Sequence, residues 1–212
     1  KLVNLKEYVD EMVDGQEAIY YACGESYEKI KSLPQIERAT EKGYEILFFK
    51  DGVDEFVAKI LLDYQGKKFV SVQEADFSLD SEDEKQAIEE KTKENKELLD
   101  CIKEVLADKV SEVKLTSKLK NYPVCITAVG DISIEMEKTF NAMPNSDGKV
   151  KAQKILEISA EHKVLDKLQS LYKENKDAIK DYAIVLYEQA RLLEGLKLDN
   201  VSEFVNSINN II

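Results

Sequence analysis

The sequence predicts a small α/β layer of parallel strands and helices, followed by an α+β domain that ends in a helical bundle. Three observations carry this. The run Ala18 to Cys23 is continuously apolar, the mark of a strand covered on both faces, Tyr44 to Phe49 reads as a second buried strand, and helical segments separate the two. Further on, three short strand candidates alternate with helices that gather toward the C-terminus. The last segment is a helix with two apolar stripes and a capped helix after it, which asks for more than one packing partner.

Composition sets the bounds. The 212 residues are 43% hydrophobic and 34% charged, enough for one large or two modest cores. Thirty basic against 42 acidic residues give a net charge of −12, which argues against nucleic acid or an anionic membrane as the main partner. No apolar run approaches the roughly 18 residues that span a bilayer, and no signal peptide opens the chain. Cys23, Cys101 and Cys125 are widely spaced and read as buried small hydrophobes in a reducing, cytoplasmic compartment. The chain opens without methionine in mid-pattern, as expected of a piece of a longer protein.

Taken in order, Leu5, Tyr8, Val9 and Met12 are spaced for a short amphipathic helix that stops at Asp14-Gly15. After the first buried strand, Ser26 caps a helix through Ile30, and Pro34 starts another that runs to Lys42 before Gly43 breaks it. Past the second strand, Asp51-Gly52 turns into a helix bearing Phe56, Val57, Ile60 and Leu61, and Lys68 to Val72 forms a third strand. The first domain is expected to cover residues 1–75, and the acidic stretch 76–80 to be a linker. The second domain then covers residues 81–212. Ser81 with Glu84 is a capping box for one long helix whose sparse apolar positions run from Ile88 to Leu106. Val110 to Thr116 and Val124 to Val129 read as strands joined by a turn at Asn121-Tyr122-Pro123. Ile132 to Met143 is an amphipathic helix stopped by Pro144, and Asn145 to Gly148 a flexible loop. Lys154 to Ile158 supplies another strand and Glu161 to Tyr172 another helix.

In the terminal pair, Ile179, Tyr182, Leu186, Ala190 and Leu193 form one stripe, and Val185, Gln189 and Leu192 a second beside it. Gly195 stops this helix, and Asn200 with Glu203 is a capping-box start for the next, which shows Val201, Phe204 or Val205, and Ile208 on one face. Two readings stay open from pattern alone: both stripes pack within the domain, or the pair joins that of a second copy in a four-helix bundle.

The site census is mostly negative. The sequence has no glycine-rich phosphate loop, and its single histidine, His162, excludes His-pair zinc sites. His162 stands where a helix cap is needed, so capping is preferred to catalysis. No catalytic, cofactor or metal residues are assigned.

Specific strings then go beyond pattern. Leu5 to Met12, Gly15 to Tyr21, Lys42 to Leu47, Asp54 to Phe56, Gly66 to Val72, Leu156 to Ile158 with His162, and Gln189 to Gly195 resemble, in this order, the heat-shock protein 90 chaperones in their bacterial form. The resemblance covers nearly the whole chain. It implies that residues 1–75 close the family's middle domain and that the rest is its C-terminal dimerisation domain. The parent would be an ATP-dependent chaperone of the stress response, with ATP and Mg bound upstream, so the fragment is expected to be no enzyme and to hold no cofactor. Partners are then a second copy and unfolded or partly folded clients. Tyr182, Leu186, Ala190, Leu193, Phe204 and Ile208 are the dimerisation residues expected on this basis. Ile132, Met136, Phe140 and Met143 recur on one helix face that pattern alone would send into the domain's own core. The resemblance reverses that preference, because the segment matches the family's helix projecting into the cleft between the dimer's arms. Phe56 matches an aromatic position on the opposite wall, and methionine suits a surface that accepts many partners. Two departures stand out. Asp51-Gly52-Val53 replaces a usual Asp-Pro pair, and Ser159-Ala160 a usual Asn-Pro. The acidic Glu-Glu-Val-Asp tail of eukaryotic cytosolic relatives is not found at Ile212. The competing class is an α/β substrate- or cofactor-binding domain of a dimeric metabolic enzyme, which would show convergent polar groups at its strand ends.

Overall fold

The computed structural model describes residues 2–212. The chain enters through helix α1 (Leu5–Asp10), held by a reciprocal capping box between Asn4 and Glu7. Strand β1 (Ile19–Cys23) follows, buried along its whole length. Then come α2 (Tyr27–Lys31), capped by Ser26, a 3-10 turn at Pro34–Ile36, α3 (Glu37–Glu41), β2 (Ile46–Phe49) and α4 (Asp54–Leu61). A tight turn joins β3 (Asp63–Tyr64) to β4 (Lys67–Ser71), a hairpin too short to show in the hydropathy pattern. The sheet order is β2-β1-β4-β3, with β1 parallel to both neighbours.

Central β1 explains its own sequence. Tyr20 and Ala22 face a core with Ile30, Leu33 and Ile36, while Ile19, Tyr21 and Cys23 face another with Tyr8, Leu47 and Ala58. Alternate side chains leave opposite faces of a strand, so a strand covered on both sides needs an unbroken apolar run.

The stretch after β4 is ordered by contacts that its composition hides. Phe77 is 4% exposed and meets Tyr20 edge-on at 5.6 Å, inside the first layer. Ala75 N–H donates to the Ala128 carbonyl at 3.0 Å, and Ala128 N–H to that of Gln73 at 3.4 Å. Asp76 and Ser78 are exposed, which is why the segment reads as a linker while its backbone stitches the two sheets together. Asp80 adds an ion pair to Arg38 at 3.7 Å.

The long helix expected from Ser81 is two. α5 (Glu82–Glu94) carries the anticipated capping box, and α6 (Lys96–Leu106) starts after a break at Asn95. The Asn95 amide donates to the Lys91 carbonyl at 2.8 Å and accepts from Gln169 at 2.7 Å, side-chain bonds that compete with the helical ladder. α5 buries none of its residues, whereas α6 buries Leu98, Leu99, Ile102 and Leu106. The second sheet has order β5-β7-β6: β7 (Gln153–Ser159) lies between β5 (Glu112–Thr116), to which it is parallel, and β6 (Val124–Val129), to which it is antiparallel.

Helix α7 (Ile134–Ala142) links β6 to β7, and α8 (Lys163–Glu174), α9 (Ile179–Leu193) and α10 (Val201–Ile211) complete the chain. His162 caps α8, its Nδ1 accepting from Val164 N–H at 3.1 Å. The turn before it, at Ser159-Ala160, is held by Ser159, whose Oγ accepts from the backbone of Glu161 and His162 and donates to the Leu119 carbonyl. α9 ends in a Schellman motif: Leu196 N–H reaches the Arg191 carbonyl at 2.8 Å and Gly195 N–H that of Leu192 at 3.1 Å, with Gly195 at φ +79°. At α10, Asn200 accepts from Glu203 N–H at 3.1 Å, but the return bond of the expected capping box is replaced by a Glu203 to Lys109 contact at 4.0 Å.

Candidate functional site

Two apolar surfaces and the polar joint between them stand out. The first is built by α4 and α7. Only Glu55 and Ala58 of α4 are buried, so its other apolar residues are left outside: Val57 is 50% exposed, Ile60 79% and Leu61 49%, with Leu62 just past its end at 69%. An eight-residue helix carrying five apolar side chains cannot turn them all inward, which was the sequence signal for this patch.

Contacts hold α4 against α7. A Cβ on Gly52 would lie 2.7 Å from Thr139 Oγ1, so only glycine lets the α4 entry come this close to α7. Phe56 meets Phe140 edge-on at 5.4 Å. Buried Glu55 accepts from Ser133 Oγ at 2.6 Å, and Ser133 is the N-cap of α7. Burial raises the Glu55 carboxyl above the ordinary carboxylate range, against the pull of the Ser133 bond and of Lys59.

The expected stripe on α7 divides. Met136 is 6% exposed, and Ile132 packs against the second core. Phe140 is half-buried against Phe56, and Met143 is 48% exposed. The apolar positions therefore wind from the interior at the start of the helix to the surface at its end.

The joint between the layers centres on Glu194, at the end of α9. Its carboxylate accepts from Gln73 at 2.5 Å and from Gln35 at 3.1 Å. Gln35 also donates to the Ile126 carbonyl at 2.8 Å, and Gln73 accepts from Cys23 N–H at 2.7 Å. Lys138 of α7 reaches the Glu194 carbonyl at 2.6 Å. Burial pushes the Glu194 carboxyl up to about 7, against Lys138, Gln73 and Gln35. The string Leu193-Glu194-Gly195 gave no hint of this, since a charged residue at a helix end reads as solvated.

The second surface is the terminal pair. α10 runs antiparallel to α9, with Asn210 near its end donating to Asp181 near the start of α9 at 3.1 Å. Leu186 and Ala190 are buried in the chain's own second core, and Tyr182 packs against that core. Leu193 is half-buried and lines a crevice with Ile30 and Leu33 of the first layer. Phe204 and Ile208 are half-buried. The apolar residues left open are Leu192 at 47%, Val201 at 60%, Val205 at 47% and, just past α10, Ile212 at 98%. The first stripe of α9 thus meets its own domain, while of the second Val185 and Gln189 are half-buried and Leu192 is exposed.

The family model described as "Hsp90 protein" matches residues 1–212. The "Chaperone protein HtpG" of Clostridium perfringens is 47% identical over 208 residues, covering 98% of this chain and 33% of that protein. Those of Clostridium botulinum and Bacillus subtilis are 46% and 45% identical, covering 100% and 98% of this chain and 34% and 33% of their own lengths. The chain spans about a third of the length of the curated relatives that it matches.

Proposed function

Because this chain belongs to the Hsp90 family of molecular chaperones, we propose that it serves such a chaperone in two ways: it pairs two copies through α9 and α10, and it offers the α4–α7 surface to unfolded clients. In this reading residues 1–75 close the middle domain and residues 81–212 form the dimerisation domain. The observation that carries it is the exposed apolar patch of α4, which the Phe56–Phe140 contact ties to α7, whose end exposes Met143. Such a patch, unlined by convergent polar groups, holds apolar segments weakly and without reading their sequence. Ile132 and Met136 back the helix from behind, so direct contact falls to Phe56, Phe140, Met143 and the α4 side chains. ATP and Mg chemistry belongs, in this proposal, to parts of the parent outside residues 1–212. The metabolic-enzyme reading has no support in the relatives, which carry chaperone names.

One set of variants tests both roles. Leu192→Asp and Val205→Asp alter exposed residues, so they are expected to leave the fold intact and halve the mass seen by light scattering at roughly tens of micromolar chain. Ile60→Ser with Met143→Ser should weaken capture of an unfolded client without lowering the melting temperature. Unchanged dimer mass would overturn the first role, and unchanged capture the second.

A further inference from the structure

We propose that the cleft between α5 and the free edge of the second sheet is a binding site for a small neutral carboxamide carried on a compact apolar group. The cleft holds about 410 Å³, within the range of small-molecule sites, and Ala75 to Phe77 form part of its lining. Phe77, Ile88 and Leu115 give it apolar walls, and Lys114, Lys118 and Glu157 its polar end.

The polar end is built but incomplete. Glu157 is wholly buried, and its Oε1 accepts from Thr127 Oγ1 at 2.7 Å and from Lys118 Nζ at 3.1 Å, with Lys114 Nζ at 3.6 Å. Its Oε2 has no hydrogen-bond partner among the described residues. A buried carboxylate oxygen left without a donor is costly, so the site calls for an N–H or O–H from outside the chain. Lys118 spends its donors on the Glu74 and Ala75 carbonyls and on Glu157. Lys114 bonds only the Ala75 carbonyl at hydrogen-bond distance, which leaves it an N–H to give. One donor wanted beside one donor offered is the pattern of a carboxamide. A carboxylate would set its charge against Oε2, and an ammonium would meet two lysines. The roof can admit a ligand, because α5 buries no residue and Ile88 is its one half-buried apolar side chain.

The test is a titration of the whole chain with benzamide, followed by the methyl resonances of Ile88 and Leu115. Saturable shifts are expected at roughly millimolar concentration, the scale for so small a ligand, with benzoate and benzylamine at least tenfold weaker. Lys114→Met should weaken benzamide about tenfold, the loss of one hydrogen bond to a charged donor. Ile88→Trp, on the exposed helix, fills the cleft without touching the Glu157 network and should abolish the shifts. Benzamide shifts that do not saturate, equal binding of all three probes, or binding that survives Ile88→Trp would each overturn the proposal. None of these outcomes depends on dimerisation or client capture.

Discussion

Replacing Glu194 by Gln should remove a large part of the pH dependence of stability. The folded carboxyl titrates at about 7 because it is buried, against an ordinary value of 4.5. The folded state therefore holds this proton more tightly than the unfolded chain does. The stabilisation is fully present below about 4.5 and is lost as pH rises through 7. A difference of about 2.5 pKa units at 1.36 kcal/mol each is about 3.4 kcal/mol in full, of which about 2 to 3 kcal/mol falls between pH 5 and pH 7.5. Glu55, Glu74 and Glu188 are also raised by burial, but they are common to both chains and cancel in the comparison. Urea unfolding at fixed ionic strength, at intervals across that range, gives the difference between wild type and Glu194→Gln at each pH. The wild type should gain on the variant by about 2 to 3 kcal/mol as pH falls from 7.5 to 5. Parallel curves would refute the argument, since the carboxyl would then titrate alike in both states. The clasp joins the first layer through Gln35, the linker through Gln73 and the end of α9, so its ionisation should also loosen the joint.

Two further outcomes test the packing. Phe77→Ala should cost about 3 to 5 kcal/mol, the scale for truncating a buried phenylalanine, and a loss under 1 kcal/mol in urea unfolding would mean that the segment is a free linker after all. Of the three thiols, Cys101 should react first with a disulfide reagent in the native state, because burial raises all three but only Cys101 is partly exposed, Cys23 and Cys125 being buried. A colorimetric count near one in buffer and three in denaturant checks this, and prompt native reaction of all three would contradict the burial.

What the sequence determined by itself was local. The unbroken apolar run of β1, the Ser81 capping box, the Ser26 and His162 caps and the Gly195 stop depend on contacts within a turn or on one strand's own period, and all are found where the residues place them, whereas β2, expected to be buried, is an edge strand that buries only Leu47. Tertiary structure decided what two equally apolar surfaces cannot settle between themselves. Leu186 and Leu192 are alike in chemistry, yet one lies in the core and the other at the surface, because the second sheet and α6 meet only one stripe of α9. Met136 and Met143 divide the same way along α7. β7 enters between β5 and β6, although those two precede it and stand closer in the chain, since strand pairing follows the burial of faces rather than sequence distance. Phe77 is core and Glu194 is desolvated for one reason: each borders a layer formed by residues far away in the chain, and burial by a distant partner leaves no periodic trace around the residue that it covers.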